Sequence, residues 1–270
     1  MFDTITAHTL VRDERLPVVR NLHLTPSLNI LGLHAPYLAS VLKAGQFLEI
    51  KTSDSLVPLL RRPFSVHRIE GDIVEIMVKV VGIGTQQLYD AREGETLQTL
   101  APLGNAFGYD KDDFDLALLV SGGIGVAPMA LLQAALEARQ KEVYNFVGAR
   151  TAEDIVTRYL SNVQVATDDG SLGYKGTVVA LFEQVLPTFQ GKRLRVFGCG
   201  PNRMLSALCK LCNSHGIPCE VSIESTMGCG IGICYGCPIR VRDSSGKVHQ
   251  KLLCRYGSVV DAKEIVFDEE

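Results

Sequence analysis

The 270-residue sequence predicts an α+β/α/β multidomain protein built in three parts: a β-rich N-terminal third, a doubly wound parallel-sheet domain, and a small cysteine-bearing module. Three observations carry this reading. Between residues 47 and 81, β-branched and aromatic residues fall in short runs bounded by turn residues, and helical periodicity is scarce. From about residue 114, apolar runs that end in glycine alternate with stretches of good helix formers, the pattern of a parallel sheet with helices on both faces. The last part of the chain carries "GCGIGICYGC" (228–237) and a further cysteine at Cys254.

Composition sets limits. Apolar residues make up 46% of the chain, enough for a proper core. The net charge is -3 and no basic run stands out, which argues against a nucleic-acid or anionic-membrane surface. No apolar run is long enough to span a bilayer. The opening "MFDTITAHTLVRDERL" lacks the apolar stretch of an export signal, so a cytoplasmic location is expected. In a reducing compartment, clustered thiols more often hold metal than form disulfides.

The elements follow in order. "FLEIKTS" (47–53), "FSVHRIE" (64–70) and "DIVEIMVKVV" (72–81) read as strands. In "VKVVGIGTQQL" (78–88) a strand runs into Gly82 and Gly84, and Thr85 is placed to N-cap a short helix, an anion-ready turn. "DLALLVSGG" (115–123) is a buried strand, and "APMALLQAALEARQK" (127–141) is a helix. "VYNFVGAR" (143–150) is a strand, and "TAEDIVTRYL" (151–160) opens like a helix with a threonine cap. "NVQVATDDG" (162–170) and "LRVFGCGP" (194–201) are strands. "PNRMLSALCKLCNSHG" (201–216) is a helix with proline at its start and glycine at its end.

Cys229, Cys234 and Cys237 are spaced C-x4-C-x2-C, and Cys254 follows at a distance. That is the plant-type [2Fe–2S] spacing. A tetrahedral zinc site more often shows two matched pairs, and no second pair is present, though zinc or unliganded thiols remain alternatives. Gly228, Gly230, Gly232 and Gly236 can adopt φ > 0 and turn their N–H groups toward the sulfurs. Cys209 and Cys212 also read C-x2-C, but within a helix, where i and i+3 share a face; a half-buried helix face accounts for them. Cys219 has no visible partner.

Two glycine turns suit a pyrophosphate. "SGGIGVAPM" (121–129) lies between a strand and a helix, with Gly122, Gly123 and Gly125 in the turn and Pro128 in the first helical turn. "FGCGPNRM" (197–204) ends a later strand in the same way. Alone, such a turn is also just a tight strand-to-helix connection. In "RRPFSV" (61–66), alternation puts Arg62 and Phe64 on one face, where a guanidinium can meet a phosphate and a ring can stack on a flat group, with Ser65 reaching a ring edge. Taken alone, these six residues read as a strand start with a surface arginine pair.

Together, R-x-F-S, G-x-G-T, G-G-x-G-x-A-P and G-C-G-P, in this order, resemble the ferredoxin–NADP⁺ reductase superfamily. With "SIESTMGCGIGICYGC" and Cys254, the chain is similar to the electron-transfer subunits of bacterial NAD-linked dihydroorotate dehydrogenases, over nearly its whole length. The resemblance implies an antiparallel β-barrel FAD domain over residues 1–108, an NAD-binding α/β domain over 109–222 and a [2Fe–2S] module over 223–270. It implies that Arg62, Pro63, Phe64, Ser65, the Met77–Lys79 backbone (including Val78), Gly84 and Thr85 hold FAD. Gly122, Gly123, Gly125 and Pro128 would contact the nicotinamide nucleotide. Cys199 would lie beside the nicotinamide ring as the catalytic residue. Cys229, Cys234, Cys237 and Cys254 would ligate the cluster. An FMN-bearing catalytic subunit is implied as partner, two of each in a heterotetramer, with NADH preferred over NADPH.

The family follows its last cysteine with an Asp-Gly-Pro-like turn. Here the residues are "CRYGSVV" (254–260), which puts the loop's outer surface, a candidate partner contact, in question. Three alternatives share features with this reading: the small subunit of a ferredoxin-dependent NAD–NADP transhydrogenase or a hydrogenase diaphorase subunit; a reductase serving an oxygenase; and a zinc-bearing binding module.

Overall fold

The computed structural model describes residues 10–267. Six strands close into an antiparallel barrel in the order β1-β2-β5-β4-β3-β6. They are β1 (Arg12–Thr25), β2 (Leu28–His34), β3 (Phe47–Lys51), β4 (Arg62–Glu70), β5 (Ile73–Lys79) and β6 (Thr96–Leu103). Helices α1 (Pro36–Val41) and α2 (Ile83–Tyr89) connect them. The long β1 closes the barrel by pairing with β6 through Arg12–Pro17 and with β2 through Val18–Thr25. Its sequence, rich in charge and half exposed, hides this role. Leu31, Leu48, Ile50, Val66 and Ile76 fill the barrel with no exposure at all.

The second domain has a seven-stranded sheet in the order β10-β9-β8-β7-β11-β12-β15. Its strands are β7 (Leu116–Gly122), β8 (Glu142–Ala149), β9 (Val163–Thr167), β10 (Tyr174–Lys175), β11 (Leu194–Cys199), β12 (Cys219–Ser222) and β15 (Val259–Asp261). All pair in parallel except β15. Every residue of β7 is buried, as a central parallel strand requires. Helices α3 (Met129–Glu137), α4 (Val178–Val185) and α5 (Asn202–Ser214) cover the sheet. The Thr177 hydroxyl caps α4 by accepting the Ala180 N–H at 3.2 Å.

Three sequence expectations change here. The helix expected over 151–160 is a single 3₁₀ turn, Ala152–Asp154; Thr151 caps nothing with its side chain, and Tyr159 sits at φ 65°. The β-branched Ile155, Val156 and Thr157 weaken helix. The segment is tied elsewhere, with Asp154 paired to Lys79 at 3.0 Å and the Arg68 guanidinium over the Tyr159 ring at 4.4 Å. Second, α3 is shorter than expected at both ends: it starts at Met129, behind its Pro128 cap, and stops at Glu137, with Gln140 beyond it at φ 58°. Third, Cys209 and Cys212 are fully buried, and Cys219 does have partners: its thiol reaches both.

The C-terminal module pairs β13 (Pro238–Arg242) with β14 (Val248–Leu252) and β16 (Ile265–Val266), with α6 (Leu253–Tyr256) between β14 and β15. β15 leaves this small sheet and adds an antiparallel edge to β12 of the neighbouring domain. The same stretch is stapled to the barrel. Val259 exchanges two hydrogen bonds with the Asn105 side chain at 2.8 and 2.9 Å, and the Ser258 hydroxyl donates to the Gly45 carbonyl at 2.6 Å. The "GSVV" loop is therefore an internal joint rather than an outer surface. Gly257, at φ +135°, has no room for a side chain against Asn105. Among the described residues, no helix is long and apolar enough to cross a membrane.

Candidate functional site

The barrel brings two sequence motifs together. A methyl group on Gly84 would stand 3.2 Å from Pro58, 3.3 Å from the Thr52 hydroxyl and 3.6 Å from Arg62 Nε, so the first turn of α2 and the start of β4 share one recess. Arg62 is held there by donating from Nη1 to the Leu60 and Arg61 carbonyls at 2.8 and 3.0 Å. Thr85 is not the N-cap expected for α2 but its third residue. Its hydroxyl reaches back to accept the Val81 and Gly82 N–H groups, which rigidifies the turn and leaves Gly82 as the cap. Pro63 and Ser65 flank Phe64 in β4, paired with Glu49 and Phe47 of β3. The Phe64 ring is only 9% exposed and belongs to the barrel core, so it offers little face for stacking. Met77 and Val78 are likewise buried by side chain and present only backbone. Lys79 is committed to Asp154 across the domain boundary.

The two glycine turns meet. β7 and β11 are adjacent, with Ser121 level with Cys199, so both turns leave the same carboxyl edge. A methyl on Gly125 would collide with the Cys199 carbonyl, and one on Gly122 would stand 2.6 Å from Met204 Sδ. Gly123 supplies the positive φ of the turn, 56°, and Pro128 is the N-cap residue of α3. Gly123 also lines a narrow cleft of about 20 Å³ against Met77, Lys79, Glu153 and Asp154, room for about one water. Beside it, buried His67 joins the barrel to the turn that leads into α3 by donating Nδ1–H to the Ala127 carbonyl at 2.6 Å. Burial lowers its pKa and keeps the ring neutral.

Cys199 is 1% exposed. Burial first, and the charge of Glu224 second, hold its thiol far above the ordinary range against a hydrogen bond with Ser222. It is a neutral thiol at the sheet edge, suited to contact rather than proton donation. Sequence reasoning missed Glu224. Water reaches its carboxyl, yet the surrounding protein raises its pKa by desolvation.

The four predicted ligands lie as two close pairs, and among the described residues no group of three or more is gathered so as to hold a single metal ion. The Cys234 N–H donates to Cys229 Sγ at 3.4 Å, and the Cys237 and Cys254 sulfurs lie 3.3 Å apart. Burial alone would raise the Cys229 thiol. Instead the Cys234, Ile231 and Ile233 amides and the Cys234 thiol bring it down to about 6, which favours a thiolate. Cys254 is pushed up to about 12 by burial and by the Cys237 and Cys229 sulfurs, against one amide, that of Gly232. Crowded sulfurs, partly wrapped by amides, are a donor set that a bound cation would relieve, and they fit an iron–sulfur cluster. Of the four glycines, Gly230 and Gly232 take positive φ, at 68° and 84°; the positive φ beside them belongs to Tyr235, not Gly236. At Gly228 and Gly236 a methyl would make only ordinary contact with Cys234 Sγ, at 3.5 and 3.4 Å, so neither φ nor space requires glycine there.

Two more residues at this loop were not foreseen. Glu49 of β3 has no exposure and lies under Gly230, where a methyl would stand 2.6 Å from Glu49 Cγ. A lone acid inside the apolar "FLEI" run is the signal that could have found it. Leu60 reaches the loop at Gly228, 3.6 Å from where a methyl would be. Leu60, Leu56, Val57 and Leu59 are all exposed apolar residues, and so are Ile233 (73% exposed) and Tyr235 (74%) on the cysteine loop.

A family model for the iron-sulfur cluster binding domain of dihydroorotate dehydrogenase B matches residues 224–266. The chain is 36% identical over 225 residues to the dihydroorotate dehydrogenase B (NAD(+)) electron transfer subunit of Caldanaerobacter subterraneus subsp. tengcongensis, covering 83% of this chain and 87% of that protein. The subunit of the same name from a Geobacillus species is 34% identical over 264 residues, covering 95% and 100%. Among solved structures, an NADH-dependent reduced ferredoxin-NADP oxidoreductase, studied for flavin-based electron bifurcation, is similar with a TM-score of 0.79 at 25% identity, covering 97% of this chain and 91% of that one. Phthalate dioxygenase reductase shares the fold with a TM-score of 0.59 at 18% identity, covering 90% and 77%.

Proposed function

The chain belongs to the family of dihydroorotate dehydrogenase B (NAD⁺) electron transfer subunits, and from that premise we propose that it carries electrons between NAD(H) and a catalytic partner that oxidises dihydroorotate to orotate. Its cofactors are FAD, a [2Fe–2S] cluster and NAD(H). The observation that carries the reading is the loop of Cys229, Cys234, Cys237 and Cys254, closed against the edge of the barrel that holds Arg62 and Gly84. When bound, FAD converts between the two-electron chemistry of a nicotinamide and the one-electron chemistry of a cluster.

The residues divide the work. Arg62 and the backbone at Gly84 would take the flavin's phosphates, with Pro63, Phe64 and Ser65 backbone along β4 and Met77, Val78 and Lys79 along β5. Gly122, Gly123, Gly125 and Pro128 would receive the nicotinamide nucleotide. Cys199, as a neutral buried thiol, would pack beside its ring and exclude water. The three modules span 1–108, 109–222 and 223–270, with β15 crossing back to the middle sheet. The catalytic subunit is proposed to bear FMN and to assemble as two copies of each chain in the cytoplasm. The isolated chain is expected to reduce dyes with NADH and to leave dihydroorotate untouched; adding the FMN-bearing subunit should bring dihydroorotate:NAD⁺ activity. Dihydroorotate oxidation by the isolated chain would refute this.

NADH is expected to exceed NADPH in kcat/KM by roughly tenfold or more, the effect of ~1.4 kcal/mol. Glu153 and Asp154 follow the strand that ends near Arg150; Asp154 is already paired with Lys79 at 3.0 Å, which leaves Glu153 as the carboxylate set against a 2′-phosphate. A clear NADPH preference would favour the transhydrogenase-type alternative, with which the solved oxidoreductase structure is in keeping.

Ile233 and Tyr235 present their apolar groups to solvent beside the cluster ligands, and a redox centre that passes electrons outward needs a partner at close range. Ile233→Asp and Tyr235→Asp should each weaken binding of the catalytic subunit by roughly 30-fold, as for a ~2 kcal/mol hot spot. NADH-to-FAD hydride transfer should stay nearly unchanged. Normal assembly of both variants, measured by titration against the partner, would move the interface elsewhere.

A further inference from the structure

Glu49 carries the strongest unexplained electrostatic feature of the molecule. Its side chain has no exposure, and neither carboxylate oxygen has a hydrogen-bond partner among the described residues. Leaving a carboxyl in that state is costly, and an apolar residue of similar size would fill the same space without the cost. The side chain is aimed at the cysteine loop. A methyl on Gly230 would stand 2.6 Å from Glu49 Cγ and 3.2 Å from its Oε1, and Gly230 follows Cys229 directly. The other charged groups facing it are Arg61 and Arg62 on the flavin side. Arg61 gives its own charge mainly to Asp13, at 2.7 Å, and reaches Glu49 only at its backbone carbonyl. The carboxyl thus has no ion pair at contact distance among the described residues, only the longer-range pull of Arg61 and Arg62, and it lies in a low-dielectric position between the flavin recess and the cluster loop, where a charge acts most strongly.

Building on the iron–sulfur reading above, we propose that Glu49 tunes the one-electron potential of the cluster, its negative charge beneath Gly230 disfavouring the added electron. Cluster potentials respond to nearby charge and to burial, and both are supplied here by a single side chain of the barrel domain. The position lets the flavin domain set how readily electrons leave it for the cluster.

The test is a potentiometric titration of the purified chain with both cofactors bound, followed by electron paramagnetic resonance at pH 9. That pH is far to the basic side of the carboxylate range. Glu49→Gln should raise the reduced-to-oxidised ratio of the cluster at a fixed ambient potential by roughly tenfold, a shift of about 59 mV for a one-electron couple. Glu49→Asp, which keeps the charge, should stay close to the parent. The flavin potential should move less than the cluster potential in both. An unchanged cluster potential in Glu49→Gln, or an equal shift at the flavin, would overturn the proposal. So would loss of iron from either variant, which would make Glu49 a support of the loop. Absence of iron from the parent chain would instead refute the iron–sulfur reading itself, and the iron assay separates the two failures.

Discussion

Replacing Cys234 by serine is expected to strip the chain of iron and leave its flavin in place. A [2Fe–2S] cluster needs four protein ligands, so the parent should carry about two irons per chain and the variant close to none. Cys234 is the cleanest of the four positions to change. Its side chain is exposed, and its near neighbours are the loop's own Gly228, Cys229 and Gly236. Cys237 and Cys254 are buried in the core that runs on into the nucleotide domain, so a hydroxyl there would disturb packing as well as ligation. Arg62 and Gly84, which would hold the flavin, lie on the barrel and owe nothing to Cys234. Iron analysis, the reduced-state electron paramagnetic resonance signal and flavin absorbance together read the outcome. NADH should still reduce the bound flavin, while dihydroorotate:NAD⁺ turnover with the partner should fall by roughly 100-fold or more, since one-electron passage is cut. Full iron retention, or simultaneous loss of the flavin, would sink the assignment. Stoichiometric zinc in the parent would do the same.

Gly125→Ala should damage both stability and nucleotide chemistry, and for one steric reason. The added methyl would meet the carbonyl of Cys199 and, at 2.6 Å, the Cα of Gly200. Both obstacles are backbone, so no rotamer change relieves them, and the two turns at the sheet edge must separate. Overpacking of this kind costs about 1–3 kcal/mol. For a domain of this size that lowers the melting temperature by roughly 3–10 °C. The separation would also move the Gly122–Pro128 turn relative to Cys199, and misplacement by about 1 Å can cost about 100-fold in rate. The rate of flavin reduction by NADH, measured by stopped flow, is the readout. Gly82→Ala is the control for stability. Its φ is 172° and an added methyl meets nothing within 4 Å, so its melting temperature should match the parent. A Gly125→Ala protein with parental melting temperature and parental NADH rate would show that the turns do not depend on this contact.

Much of the site is local, and local features are legible from spacing. The cysteine pattern, the glycine turns after β7 and β11, and the strand-to-helix alternation each depend on residues a few positions apart. Helix α5 was legible because proline, periodic apolar residues and a terminal glycine all lie within one segment. The misreadings arose where distant contacts outvoted local preference. Residues 151–160 have a threonine cap and acids in the first turn, yet Lys79, Arg68 and Ser171 hold the segment in a non-helical path. Phe64 has the spacing of a stacking residue, but the closed barrel absorbs its ring.

By itself, then, the sequence determined the order of barrel, parallel-sheet domain and cysteine-bearing module, the spacing of the four cysteines proposed as ligands, and the class of chemistry. These are properties of short motifs, whose backbone geometry and donor set follow from a handful of neighbouring residues. Only the tertiary structure decided how the modules are joined. Val259 meets Asn105 across 154 positions, and Ser258 meets Gly45 across 213. β15 pairs with β12 of another domain. Glu49 reaches the loop at Gly230 from the barrel wall. No pattern of spacing encodes such contacts, because they exist only once hydrophobic burial has closed the barrel and the sheet and brought their edges together.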